Sequence, residues 1–257
     1  MIYITGDTHG DFRRISSFCD KFGTKREDIM IILGDAGINY FDDERADKLK
    51  ERLSNLPITL FCLHGNHENR PQNINTYHEQ QWNGGTVFVE DKYPNLLFAK
   101  DGEIFNIGGQ KCIVIGGAYS VDKFYRLQNG YGWWPDEQPS EEIKAATIKN
   151  LAAVNNMVDV VLSHTCPFKY IPREVFLAGI DQSTVDNSTE KWLDTIEDTL
   201  EYKKWYCGHY HTSKKIDRMC LNIVLLFVWL LRHSAARIRC MTAFFSFQLH
   251  AHSHLPL

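Results

Sequence analysis

The sequence predicts a layered α/β fold, on two observations. Through the first third, apolar runs of strand length alternate with amphipathic stretches of helical period, joined by short loops. From Thr86 to Ala118 short β-prone runs follow one another, punctuated by Asp101-Gly102 and Gly108-Gly109, which read as hairpin turns. The first pattern builds strands joined through helices, and the second makes the later core largely antiparallel. Two sheets packed face to face, with helices outside, accommodate both.

Taken in order, Ile2-Tyr3-Ile4 is the first strand, and Asp11 to Phe22 a helix with Phe12, Ile15, Ser16, Cys19 and Phe22 near helical spacing. Ile29 to Leu33 is a strand, Asp42 to Leu56 a charged amphipathic helix, and Pro57 to Cys62 a third strand. Short strands follow at Thr86–Val89, Leu96–Phe98, Glu103–Ile107 and Lys111–Ile115. The segment from Gly116 to Ser140 is irregular and rich in rings: Tyr119, Phe124, Tyr125, Tyr131, Trp133 and Trp134. Loops of this length in a compact domain are functional or mobile. Ser140 then caps a helix, with Glu141 and Glu142 in its first turn, running to about Asn156. A strand at Val158–Leu162, a last helix at Thr189–Tyr202 and a short strand at Lys204–Cys207 complete the body.

A chain of 257 residues holds one large domain or two small ones. Its formal charge of −4 indicates neither a nucleic-acid footprint nor an acidic tail. The first strand begins almost at Met1 with no charged-then-apolar leader, which predicts a cytoplasmic protein. Seven cysteines without a C-x-x-C pair suit reduced thiols in that compartment.

The domain is expected to span residues 1–217, with 218–257 as an atypical tail. Arg218 to Leu257 contains no Asp or Glu, although the chain carries 32. Leu221 to Leu231 is nearly all apolar but meets Arg232 short of the roughly 20 residues of a membrane span, so no stable insertion is expected. His250, His252 and His254 alternate near the end. A membrane-surface anchor or a metal-scavenging tail would be a functional reading. An end foreign to the fold, as a shifted reading frame would give, is the simpler expectation.

Function concentrates where strands end, as ligand groups do in open α/β sheets. The first strand runs into Gly6-Asp7-Thr8-His9, the second into Gly34-Asp35 and the third into Leu63-His64-Gly65-Asn66-His67-Glu68. Val158–Leu162 runs into Ser163-His164, and Lys204–Cys207 into Gly208-His209-Tyr210-His211. Five strand ends thus deliver Asp, His and Asn and no serine nucleophile. Any one of them has an ordinary explanation, a helix cap for Asp7 or Asp35 and a satisfied core histidine for His164. Together they predict a metal site, and a two-metal one. Carboxylate, amide and imidazole without thiolate suit Mn, Fe, Zn or Ni.

The same blocks, in this order over residues 1 to about 217, resemble the calcineurin-like metallophosphoesterase family. The stretch from Gly116 through Trp133-Trp134-Pro135-Asp136 is similar to a bacterial and phage branch of it. The resemblance implies a four-layer α-β-β-α sandwich of two mixed sheets. It implies two divalent ions, Mn favoured, one held by Asp7, His9, Asp35 and His211 and the other by Asp35, Asn66, His164 and His209, with Asp35 bridging. It further implies that a metal-bridging hydroxide attacks phosphorus in line while His67 acts as general acid on the leaving oxygen. Even after Asp7, Asp35 and that hydroxide are subtracted, such a site keeps positive charge for a phosphate ester.

One departure bears on substrate and proton transfer. Relatives of the protein-phosphatase branch carry an Asp three residues beyond the Gly-Asp aspartate, followed by Arg-Gly, whereas this chain has Ile38 there. The carboxylate that would orient His67 and a phosphate-gripping arginine are both missing. Asp42 or Asp43 could substitute. Arg70 and Arg126 are candidate substrate contacts, set against ordinary ion pairs. Trp133 and Trp134 could stack on a flat leaving group or plug the loop down. His64 reads as structural, and Cys166 and Cys207 as buried thiols.

The function these readings support is hydrolysis of a phosphate mono- or diester, a nucleotide or nucleic-acid end among the candidate substrates. A non-catalytic scaffold on the same fold is the rival, but would be expected to have lost His67 or several ligands. A product with a damaged C-terminus and little activity is the third reading.

Overall fold

The structure, a computed structural model, describes residues 1–176, 181–221 and the strand 227–229. In chain order the elements are β1 (Ile2–Thr5), α1 (Arg13–Phe22), β2 (Ile29–Ile32), α2 (Glu44–Ser54), β3 (Thr59–Cys62), β4 (His78–Trp82), β5 (Gly85–Val89) and β6 (Leu96–Ala99). Then come β7 (Ile104–Ile107), β8 (Gln110–Ile115), α3 (Lys123–Asn129), α4 (Glu141–Ala153), β9 (Val160–Ser163), α5 (Ser188–Glu197) and β10 (Lys204–Cys207). β11 (Lys214–Ile216), β12 (Met219–Leu221) and β13 (Phe227–Trp229) close the described chain.

The first sheet has the order β13-β1-β2-β3-β6-β5-β4, with β1, β2, β3 and β6 parallel and antiparallel pairings at both edges. The second has the order β11-β12-β10-β9-β8-β7, with β8, β9, β10 and β12 parallel. Both sheets are therefore mixed: the strands of Thr86 to Ala118 pair antiparallel with one another, β5 with β6 and β7 with β8, but the later core as a whole is not largely antiparallel. Only β7 and β11 run against their neighbours there.

Successive strand residues face opposite sides, so the apolar runs divide among three interfaces. Tyr3, Met30, Ile32, Leu60 and Cys62 meet Phe12, Ile15 and Phe18 of the α1 region and Leu53 of α2. Ile4, Ile31, Leu33 and Phe61 point the other way, against Phe105, Val114, Val160 and Leu162 of the second sheet. Ile113, Ile115, Val161 and Trp205 turn from that sheet towards Leu151 of α4 and Leu193 and Ile196 of α5. Three cores between four layers make the α-β-β-α sandwich.

Several boundaries differ from expectation for identifiable reasons. Asp101-Gly102 is not a hairpin turn, because β6 and β7 lie in different sheets; it is the crossover between them. Gly108-Gly109 is a hairpin, pairing Ile107 with Gln110. β4 is a polar, exposed edge strand whose hairpin to β5 turns on Asn83-Gly84, both at positive φ. The irregular segment contains α3, and the last helix stops at Glu197 so that Leu200 and Tyr202 can enter the third core.

The boundary at 217 cuts across the second sheet. Met219–Leu221 are buried, pair parallel with β10 and antiparallel with β11, and so belong to the body. Residues 227–229 pair with β1. The remainder of the apolar and basic tail, including His250, His252 and His254, lies outside the described residues. Among the described residues no helix is long and apolar enough to cross a membrane.

Candidate metal centre

β1, β2 and β3 are parallel neighbours in one sheet, and β9 and β10 in the other. Their carboxyl ends therefore open at the same end of the sandwich, and the five loops meet there. The loops are stitched in series by backbone hydrogen bonds. Thr8 and His9 N–H donate to Asp35 O (3.1 and 2.8 Å), Gly117 N–H to His64 O (2.9 Å) and Gly208 N–H to His164 O (2.9 Å).

Four of the expected ligands sit on backbone in the left-handed region: His9 (φ 45°), Asp35 (47°), His209 (68°) and His211 (47°). Such conformations cost of order 1–3 kcal/mol each and persist where surrounding contacts over-determine them, typically at functional sites. The glycines beside them are required by close approach. A Cβ on Gly65 would stand 1.9 Å from Asp35 Oδ1, and one on Gly34 (φ 92°) 2.1 Å from His164 Nδ1.

Asp35 is the hub. Its Oδ1 accepts the His67 backbone N–H at 2.8 Å. Its Oδ2 lies 3.9 Å from His9 Nε2, 3.7 Å from His67 Nδ1 and 3.7 Å from His164 Nε2. Asp7 Oδ1 accepts the His209 backbone N–H at 2.9 Å, and its Oδ2 is 3.2 Å from His211 Nε2. Three sets of side chains bring ligand atoms within 4.8 Å of one another: Asp7, His9 and His211; His9, Asp35 and His67; Asp7, Asp35 and His164. His209 joins none of these sets; its ring lies edge-on to His164, centroids 5.0 Å apart.

Two contacts give the chemistry of the donor set. His164 Nδ1 donates to Leu33 O at 2.8 Å, leaving Nε2 to face Asn66 Oδ1 at 2.8 Å. Asn66 is oriented by its Nδ2, which donates to Ser120 Oγ at 2.9 Å. Either a wholly buried imidazole carries two protons, or two lone pairs converge as they do on a cation. His9 Nε2 and His211 Nε2 likewise stand 3.0 Å apart. The residues present fit a pair of divalent ions.

Electrostatics agree. Burial would raise the Asp7 carboxyl, but the hydrogen bond from His211 and the neighbouring His164 outweigh it and hold the group low. Asp35 is lowered too, its burial outweighed by His164 and His67. Burial, with His164 beside it, pushes His209 down to about 3, so its imidazole is neutral and able to ligate. His211 is raised by its hydrogen bond to Asp7.

Glu68, beside the motif histidine, is structural. It is buried and accepts the Ala36 N–H at 3.0 Å, tying the Asp35 loop to the β3 loop. Burial, then the Asp35 charge, raises its carboxyl to about 8. A raised carboxyl favours the fold most below its ordinary pKa, and that contribution is lost as pH rises towards 8. Glu68→Gln is expected to flatten this decline in the metal-free protein. Glu68→Ala, which orphans a buried N–H, should cost about 1–3 kcal/mol. Urea denaturation from pH 5 to 8 checks both.

The two arginines part company. Arg70, a candidate phosphate contact, is buried, with Nη1 2.6 Å from Asp101 Oδ2, Nε donating to Asp136 O at 2.7 Å and Nη2 to Gln138 O at 3.5 Å. With its donors engaged away from solvent it does not reach a substrate, nor is it a surface ion pair. Arg126 does arrive at the site, its Nη2 3.1 Å from His67 Nδ1. The residue that sequence reasoning missed is Asp122, whose Oδ1 lies 3.3 Å from His67 Nε2. Burial opposes its ionisation, but His67 and Arg126 outweigh that and lower it to about 2. Its separation of four from Arg126 was a readable helical ion-pair signal.

The remaining candidates are structural. Asp43 caps α2 and pairs with Arg45, and Ile38 is in the first core. Asp42, Trp133 and Trp134 line a cavity of about 530 Å³ with Asp43, Glu44 and Asp47, whose acidity is wrong for a phosphate. Trp133 Nε1 donates to Glu137 Oε2 at 2.7 Å, which pins the loop. His64 is buried, with no hydrogen-bond partner among the described residues on either ring nitrogen, and burial keeps it neutral.

Comparison with solved structures finds similar folds at low identity. One is the crystal structure of TT1561 of Thermus thermophilus, 12% identical over 86% of this chain and 87% of that one, with a TM-score of 0.47. Another is the protein of unknown function AQ665 from Aquifex aeolicus, 12% identical over 79% of this chain and 87% of that one, with a TM-score of 0.35. Comparison with curated proteins finds no match. The family model described as calcineurin-like phosphoesterase matches residues 1–213, which include every expected metal ligand. The chain belongs to the calcineurin-like phosphoesterase family.

Proposed function

We propose that this protein is a dinuclear metal-dependent hydrolase of phosphate mono- or diesters, acting in the cytoplasm. Asp7, His9 and His211 would hold one ion, and Asn66, His164 and His209 the other, with Asp35 shared between them. The observation that carries this reading is the facing of two acceptors, His164 Nε2 on Asn66 Oδ1, beside one buried carboxylate, with His9 Nε2 and His211 Nε2 3.0 Å apart at its open side. Cations satisfy all of these atoms without burying an imidazolium. When bound, a pair of divalent ions supplies Lewis acidity and a nucleophile at neutral pH. Mn, Fe, Zn and Ni all suit the donors, Mn being the ion to try first.

The chain's own residues do the rest. Leu33 O sets the tautomer of His164, Ser120 sets the amide of Asn66, and backbone N–H groups of His67 and His209 aim the two aspartates. His67, one-fifth exposed, borders the cluster where a leaving oxygen would emerge and is placed to protonate it. The six described cysteines are buried and none forms a disulfide, which suits a reducing compartment.

The test is elemental analysis of the purified protein, with hydrolysis of bis-p-nitrophenyl phosphate compared with p-nitrophenyl phosphate in added Mn. His67→Ala is expected to lower kcat, by up to about 10²–10⁴ on esters of poor leaving groups and by less on p-nitrophenyl esters, while metal content stays. Full metal loading with no turnover on either ester would favour a binding scaffold instead.

A further inference from the structure

The carboxylate missing from its sequence position at Ile38 is supplied in space by the segment after β8. Asp122 stands at the cap of α3. Its Oδ2 accepts from Arg126 Nε at 2.7 Å, and its Oδ1 lies 3.3 Å from His67 Nε2. That Oδ1 is buried and takes no hydrogen bond from any described group, so its one close polar neighbour is His67 Nε2, at ion-pair distance. Arg126 closes the ring, with Nη2 3.1 Å from His67 Nδ1 and Nη1 donating to Gly132 O at 3.2 Å.

Chemistry fixes the proton. A guanidinium has no acceptor, so Nδ1 carries the lone pair in its contact with Arg126, and the ring proton sits on Nε2, the nitrogen 3.3 Å from Asp122 Oδ1. The His67 backbone is held by Asp35, while its ring is held by Asp122 and Arg126. Asp43 is engaged with Arg45 at the cap of α2, and Asp42 lines the acidic cavity beside it.

We propose that Asp122 is the positioning carboxylate of His67. The proposal rests on the reading of His67 as proton donor. In the donor form both nitrogens are protonated, and Asp122 accepts from Nε2–H and offsets the charge of the imidazolium. In that form Nδ1, the nitrogen facing Asp35, carries the proton to be given and no longer accepts from Arg126, whose Nη2 turns away from it. As the bond from the attacking water oxygen to phosphorus forms, with that water's proton passing to solvent, the ester P–O bond breaks and the Nδ1 proton passes to the leaving oxygen. His67 is then neutral with its remaining proton on Nε2, the tautomer that Arg126 and Asp122 select, until solvent returns a proton to Nδ1.

General-acid help matters most when the leaving group is poor, so a series of aryl phosphate esters from p-nitrophenol to unsubstituted phenol separates positioning from mere structure. In metal-loaded protein, Asp122→Asn is expected to change the rate on the best leaving group by less than about threefold. On the poorest it should lower the rate about 10–100-fold, parallel to and smaller than the loss in His67→Ala. A uniform loss or none, with His67→Ala still dependent on the leaving group, overturns the assignment of Asp122. No leaving-group dependence in His67→Ala itself overturns the reading beneath it, and the proposal with it. A second measurement needs no turnover: long-range ¹⁵N–¹H spectra of the Zn-loaded protein should show His67 as the Nε2–H tautomer, with ring signals that shift in Asp122→Asn. Unchanged ring signals overturn the proposal.

Discussion

Asp35→Asn is expected to abolish the stabilisation that Mn confers on the wild-type protein and to lower phosphoesterase activity by more than roughly 100-fold, beyond the usual effect of losing an outer partner of a ligand. The substitution is sharp because it changes little else. An asparagine can keep an oxygen where Asp35 Oδ1 accepts the His67 N–H, so the loop remains tied. It then presents an amide NH₂ where Oδ2 faces His9, His67 and His164, and an NH₂ cannot ligate a cation. It also removes a buried charge that His164 and His67 attract and Asp7 repels, so the metal-free fold loses that net attraction and the Mn effect is read against the variant's own metal-free baseline. At Mn a hundredfold above its Kd, the wild type should gain about 2.7 kcal/mol, or roughly 5–10 °C in Tm for a domain of this size. Thermal melts with and without Mn measure this directly. An equal Mn-induced shift in the variant would show that Asp35 is not shared between the ions.

The parts legible in the sequence were those fixed by short-range rules. Ile29–Ile32 and Thr59–Cys62 were readable as apolar runs of strand length, and strand geometry then sorts Met30 and Ile32 from Ile31, and Leu60 and Cys62 from Phe61, onto different cores. Ser140, with acidic residues behind it, caps α4 as its chemistry requires, its Oγ accepting from Ile143 N. The proposed ligands could be gathered from the sequence because each follows an apolar run directly, so strand ends alone put them at one end of the fold. What was not legible depends on contacts distant in sequence. Whether Asp101-Gly102 joins strands of one sheet or crosses between two depends on which sheet β7 enters, and the turn residues serve either case. β4 is polar and exposed, so no hydrophobic period marks it, although Asn83-Gly84 beside it was a two-residue hairpin signal. Asp122 and His67 are 55 positions apart and meet only because α3 folds back over the β3 loop. Arg70 carried no sequence mark of burial at all.

That burial makes Arg70→Met the variant with the largest expected loss of stability. One guanidinium ties three segments: the end of the β3 loop through Arg70 itself, the sheet crossover through Asp101, and the close of the ring-rich loop through Asp136 O and Gln138 O. Asp101 in turn accepts the Gly116 N–H at 2.8 Å, so its carboxylate also fixes the chain leaving β8. The side chains of Arg70 and Asp101 are 4% and 2% exposed, which leaves water no part in their pairing. Methionine keeps much of the stem volume but strands Asp101 as an unpaired buried charge, a situation that costs about 3–5 kcal/mol. For a domain of this size the expected fall in Tm is roughly 6–20 °C. Asp101→Asn in the same chain removes the stranded charge while keeping an acceptor for Gly116, so the double variant should recover much of the loss, and a double-mutant cycle reads the coupling. A substrate-binding arginine would behave otherwise, raising KM with Tm unmoved. Thermal melts and steady-state kinetics on the same preparations therefore distinguish a clamp inside the fold from a contact to phosphate.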